Sequence, residues 1–159
     1  MGTALVTGAT SGIGEEFCWQ LAAAGHDLVL VARHEEALSA LASALANVAG
    51  VRAETIAADL STAEGCRRVA SRLDVGGPAD VEKADLAPVD LLVNNAGFGL
   101  GTDFLDNTLE AELAGVDVMV RAVMILAHHA GISMRSRGRG AILNVGSVAS
   151  RTGAGTYSA

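Results

Sequence analysis

The stretch Thr7-Gly8-Ala9-Thr10-Ser11-Gly12-Ile13-Gly14 has the residue types and spacing to hold a phosphate. A short apolar run, Ala4-Leu5-Val6, leads into it, and a helical pattern leads out. In such a turn, backbone N–H groups face an anion at the positive end of a helix dipole. Gly8 permits the tight turn, Gly12 lets the backbone approach a pyrophosphate, and Gly14 lets the helix lie close to the strand. Ser11 can add a hydroxyl. A plain structural turn would use the same glycines, but this position after an N-terminal buried strand favours nucleotide binding. His128 and His129 could act as bases, yet they lie well along a helical pattern and read as helix-surface or interface residues. Cys18 and Cys66 have neither CxxC nor metal-ligand spacing, so no metal site is expected. They read as small buried apolar side chains of a chain kept in a reducing cytoplasm.

The elements that would position these residues alternate regularly. Short runs rich in Val and Leu fall at Ala4 to Val6, Leu28 to Val31, Arg52 to Ala58, Val89 to Val93 and Ala141 to Val145. Three of them are close to continuously apolar, as strands buried on both faces are, which points to a parallel sheet covered by helices. Helical patterns occupy Ile13 to Ala24, Glu35 to Leu45, Ala63 to Leu73, and Leu109 to Arg137, with Gly25 and Gly138 placed to stop two of them. The expected fold is α/β, a doubly wound parallel sheet of Rossmann type ending after its fifth strand. Asp74 to Pro88, with Gly76-Gly77-Pro78, reads as a surface connection. No domain boundary interrupts residues 1–159.

Composition narrows the partners. The chain has 159 residues, 50% apolar and only 3% aromatic, and a net charge of −7 from 11 basic and 18 acidic residues. That length and apolar share suit one domain with a core of Ala, Val, Leu and Ile. A single lysine and an acidic balance leave no electrostatic footprint for nucleic acid or an anionic membrane. The longest apolar stretch, Val116 to Ile132, is broken by Asp117, Arg121, His128 and His129, so no membrane span is expected. A cytoplasmic location follows as an expectation.

With its glycine turn and three further motifs in order at strand ends, the sequence resembles the short-chain dehydrogenase/reductase family along essentially its whole length. The turn matches the family's TGxxxGxG. Asp59-Leu60 follows the third strand, where the resemblance implies an Asp at the adenine amino group; capping of a helix starting near Ser61 is the plainer role. Asn94-Asn95-Ala96-Gly97 matches the family's NNAG. Its asparagines are expected to tie adjacent strands, with the nearby backbone lining the ribose. Asn144-Val145-Gly146-Ser147 matches the strand that delivers the family's serine. The resemblance thus implies an NAD(P)-binding domain, incomplete at its C-terminus, with Gly8, Thr10, Ser11, Gly12, Ile13, Gly14, Arg33, Asp59, Leu60, Asn95, Ala96 and Gly97 at the cofactor.

The end of the second strand bears on the choice of cofactor. A carboxylate there would bond both ribose hydroxyls and repel a 2′-phosphate. Ala32 removes that anion and Arg33 supplies a guanidinium able to grip phosphate in a bidentate pair, so NADP is expected, with NADPH preferred over NADH. Arg33 as a solvated surface charge is the alternative.

The resemblance also implies hydride transfer to or from a small-molecule carbonyl or alcohol, with Ser147 holding the substrate oxygen and Tyr157 as acid or base. A phenol of pKa about 10 needs a nearby cation for that work, which the family supplies as a lysine four residues on. Tyr157 is the only tyrosine; the sequence stops at Ala159, and the only lysine, Lys83, lies in the connecting stretch. Tyr157 follows Ser147 by ten positions, fewer than is usual, and Met119 stands where the family commonly has an Asn. Little hydride transfer is therefore expected from residues 1–159 by themselves, and a homo-oligomer is expected of the complete protein. The alternative is a non-catalytic nucleotide-binding protein or an inactive truncated product. The loop from Phe98 to Phe104 suggests an apolar wall near the substrate.

Overall fold

The computed structural model describes residues 1–77 and 86–148. Five strands and five α-helices alternate: β1 Thr3–Thr7, α1 Gly12–Ala23, β2 Asp27–Ala32, α2 Glu35–Ala49, β3 Ala53–Ala57, α3 Ala63–Leu73, β4 Val89–Asn94, α4 Leu109–Val116, α5 Val123–Arg137 and β5 Ala141–Asn144. All pair in parallel in the order β3-β2-β1-β4-β5. This is the doubly wound sheet expected from the near-continuous apolar runs.

The reason for those runs is visible in the packing. Side chains alternate across a strand, and here both faces are buried. Leu5, Val29, Val31 and Leu92 pack on the side of α3 and α5, with Val69, Leu73 and Leu126. Ala4, Val6, Leu28, Leu30 and Val93 pack on the side of α1 and α2, with Cys18, Leu38 and Leu45. Both cysteines are buried and free, as their apolar surroundings in sequence imply. β5 forms an edge of the sheet with all four residues exposed.

Helix ends follow local chemistry. Thr62 caps α3 by accepting from the Gly65 N–H at 3.0 Å, and Thr108 caps α4 by accepting from Ala111 N–H at 3.3 Å. α2 runs four residues past Leu45, because Ala46 to Ala49 continue it readily until Gly50 turns left-handed at φ +68°. α5 stops as expected, at Gly138 with φ +69°.

The single helix read from Leu109 to Arg137 needs correction. A π turn over Asp117–Ala122 joins α4 to α5, widening the helix locally so that one extra residue is accommodated. Asp117 and Arg121 pair across it at 2.7 Å. The connection after α3 also begins less superficially than its composition suggests, since Val75 is buried. Pro78 and Lys83 of that connection lie outside the described residues. His128 is exposed as expected, whereas His129 is half-buried and its Nδ1 lies 2.8 Å from Asp74 Oδ1, linking α5 to the end of α3. Among the described residues no helix is long and apolar enough to cross a membrane, and no group of side chains could hold a metal ion.

Candidate functional site

The sheet reverses direction of winding between β1 and β4: β1 is followed outward by β2 and β3, β4 by β5. In an open α/β sheet the crevice at the carboxyl ends of such a pair is where ligands bind. The glycine turn leaves β1 at this point. Gly8 (φ +68°) and Gly12 (φ +52°) both occupy the left-handed region that favours glycine. A Cβ on Gly14 would lie 2.1 Å from the Gly8 carbonyl oxygen and 2.5 Å from Asn95 Nδ2, so this glycine brings α1 hard against the turn.

Gly12 differs. A Cβ there would meet nothing within 4 Å, so its conformation opens onto free space. Ser11, the N-cap residue of α1, makes no side-chain bond to the helix backbone, and Ile13 is exposed beside it. The first-turn N–H groups of α1 therefore face outward with no capping oxygen. An oxygen-rich anion fits that cradle, and the partly exposed Gly8 and Thr10 border it.

The segment after β4 is tied to the turn by Thr7. Its Oγ1 accepts from the Asn95 and Ala96 N–H groups, each at 3.0 Å, and lies 3.4 Å from the Val93 carbonyl to which it donates. Asn95 Nδ2 donates to the Thr7 carbonyl at 3.0 Å, and Asn94 Nδ2 donates to Asn144 Oδ1 at 3.0 Å across β4 and β5. Both asparagines thus cross-link the crevice, as the motif suggests. Thr7 was missed as a positioning residue; its one signal is a hydroxyl at the last strand position before the glycines.

At the ends of β2 and β3, Arg33 and Asp59 are both exposed. Asp59 Oδ1 accepts from the Ser61 N–H at 2.9 Å and from its hydroxyl at 2.7 Å. These two bonds, with a smaller contribution from the Arg33 charge, hold its carboxyl below the usual carboxylate range. The cap of α3 is Thr62 rather than Asp59, because Thr62 is the residue whose side chain reaches the Gly65 N–H. Leu60 directs its side chain into the core, which leaves only its backbone to the crevice.

Ser147 is exposed, three positions past β5, and Val145 N–H donating to the Asn94 carbonyl at 2.9 Å carries the β4–β5 pairing on toward it. Gly97 is exposed, and a Cβ on it would lie 3.5 Å from both Cγ and Sδ of Met119. The π turn therefore places a thioether beneath the post-β4 loop. Tyr157, Ser150 and Thr152 lie outside the described residues. A cavity of about 290 Å³ lies elsewhere, between α3 and α5, but Asp117–Arg121 and Asp74–His129 pair within its own lining.

A sequence model described as short chain dehydrogenase matches residues 2–159. A very-long-chain 3-oxoacyl-CoA reductase of Laccaria bicolor is 36% identical over 148 residues, covering 92% of this chain and 41% of that protein. An L-xylulose reductase of Mesocricetus auratus is 36% identical over 156 residues, covering 98% and 57%. Among solved structures, a short-chain dehydrogenase from Sphingobium yanoikuyae in complex with NADPH superposes with a TM-score of 0.88 at 34% identity, covering 99% of this chain and 59% of that one. The chain thus spans 41% and 57% of the length of these two curated relatives. Its sheet order, its glycine turn and this match over residues 2–159 place the chain in the short chain dehydrogenase family.

Proposed function

We propose that this chain is the cofactor-binding and serine-bearing part of an NADP(H)-dependent oxidoreductase acting on a carbonyl or alcohol. The observation that carries this reading is the open cradle at Gly12, with the uncapped N-terminus of α1 behind it. A nicotinamide dinucleotide bound there supplies or takes up hydride. Gly8, Thr10, Ser11, Gly12, Ile13 and Gly14 would receive its pyrophosphate. Asn95, Ala96 and Gly97 would line the ribose, and Asp59 with the Leu60 backbone would face the adenine. Ser147 would hold the substrate oxygen by donating its hydroxyl, and Tyr157 would exchange the proton.

The preference for NADPH rests on Ala32 and Arg33. No carboxylate stands at the end of β2 to repel a 2′-phosphate, and the exposed Arg33 can reach one as a charge-assisted pair. The NADPH complex of the Sphingobium yanoikuyae relative supports this choice. Titration of NADPH and NADH by fluorescence tests it. The native chain should bind NADPH more tightly, and Arg33→Ala should weaken NADPH by about 1.5–3 kcal/mol while leaving NADH nearly unchanged. An unchanged ratio would remove Arg33 from the site. Its partner would be a second copy, docked along the exposed side chains of Leu109, Leu113, Val116, Val120 and Met124 on α4, the π turn and α5.

A further inference from the structure

We propose that the hollow between α3 and α5, outside the cofactor crevice, is a second binding site whose ligand is a small carboxylate with a short, unbranched apolar tail. The sequence makes the hollow. Ala63, Cys66 and Ala70 recur every three or four residues along α3, so one face of that helix carries only short side chains. Facing them, Asp117, Arg121, Ile125 and His129 recur every four residues along the π turn and α5. The two rows meet at one end, where His129 Nδ1 lies 2.8 Å from Asp74 Oδ1. Short side chains opposite long ones leave about 290 Å³, roughly ten times the share of one water molecule in the liquid. From Ala63 to Asp74 a helix rises about 16 Å, so the hollow is an elongated trough.

The charges along the trough select the head group. Both of its carboxylates are already met, Asp117 by Arg121 at 2.7 Å and Asp74 by His129. Arg67 lines the same trough and is exposed, and among the described residues its guanidinium has no partner. Arg121 is held through Nη1, with its side chain 65% exposed, so the rest of its fork is open. The floor between these cations is apolar. Cys66 donates to the Leu60 carbonyl at 3.3 Å, and burial, then the Asp117 charge, push its thiol up, which keeps it neutral. Ala70 and the half-buried Ile125 continue that floor. A surplus cation over apolar surface matches one anionic head on an apolar tail, and a carboxylate offers two oxygens to a guanidinium fork. A cationic head would meet Arg67, and an acid without a tail would leave the floor in water. The π turn separates this trough from the crevice: Asp117 and Arg121 border the trough, whereas Met119 lies against Gly97 in the loop after β4.

The test titrates octanoate, octylamine and acetate into the full-length protein by calorimetry, with and without saturating NADPH. Octanoate should bind one per chain, equally in both conditions, and about tenfold or more tightly than octylamine or acetate. Arg67→Gln should weaken octanoate about tenfold, the loss expected for a charge-assisted bond. Ser71→Phe, which plugs the trough from its exposed wall, should remove binding. Both substitutions lie at exposed positions, and unchanged urea midpoints would show that the fold persists. NADPH affinity should be the same in both variants, which separates this site from the cofactor's. Failure of octanoate to bind, equal binding of octylamine or acetate, or an affinity indifferent to both substitutions would overturn the proposal. Displacement of octanoate by NADPH would place it in the crevice and overturn the proposal equally, leaving the oxidoreductase reading untouched.

Discussion

Gly12 and Gly14 belong to one motif but do opposite work, and single substitutions should separate them. At Gly14 an added Cβ collides with backbone and with the Asn95 amide, so Gly14→Ala should cost about 1–3 kcal/mol of stability, read from urea unfolding. At Gly12 the space is open and only the left-handed φ of +52° penalises a side chain, so Gly12→Val should fold with a loss of about 1–2 kcal/mol. NADPH binding should nevertheless disappear, since the side chain fills the cradle; retained binding would make the turn a structural feature only. Titrating groups give a second prediction. Bonds from Arg52 to Asp27, and from Ser61 to Asp59, hold both carboxyls below their ordinary range. Their contribution is present at neutral pH and is lost as pH falls below about 4 through the depressed values. Burial pushes the Cys18 thiol up to about 12 from 9.0. Its contribution is therefore full below pH 9 and is lost as pH rises from 9 toward 12. Urea midpoints at pH 3, 7 and 10.5 should show both losses, and Cys18→Ala should shrink only the alkaline one.

Among the elements, the caps carry measurable weight. Thr62→Ala removes the acceptor for the Gly65 N–H and should cost about 1 kcal/mol in urea unfolding, without altering the sheet. An unchanged midpoint would mean that water replaces the cap fully. The elements themselves were largely legible in the sequence. Strands buried on two faces must be apolar at every position, and β1 and β2 show that in Ala4 to Val6 and Leu28 to Val31. Gly138 was a readable stop because only a left-handed residue closes a helix that way. The π turn was not legible: a period of 3.6 has no term for one inserted residue, and Asp117 to Ala122 carries no proline or glycine to flag it. Likewise the glycines and asparagines of the site were readable from type and spacing. The hydroxyl of Thr7 was not, because its partners Asn95 and Ala96 lie far away in sequence and meet it only once β1 and β4 pair.

At the scale of the whole molecule, one surface is at odds with solvent. Leu109, Leu113, Val116, Val120 and Met124 recur every three or four residues along α4, the π turn and α5, each 50–66% exposed. That spacing makes a single stripe on one side of the helix, while Val118, Ala122 and Leu126 from the same segment pack into the core. A contiguous apolar stripe of this kind marks an interaction surface, and a helix face pairs readily with its own copy about a two-fold axis. Full burial of such side chains contributes about 1.5–3 kcal/mol each, an upper bound for association because ordering and lost tumbling oppose it. Placing a charge in the stripe removes one such contribution and adds the cost of burying a carboxylate. Val120→Asp or Leu113→Asp in the full-length protein should therefore raise the self-dissociation constant by about 30-fold or more, since every 1.4 kcal/mol is a factor of ten. Sedimentation equilibrium would show the shift from dimer to monomer, with circular dichroism unchanged. A protein that stays monomeric before substitution, or dimeric after it, would assign this stripe to some other cover.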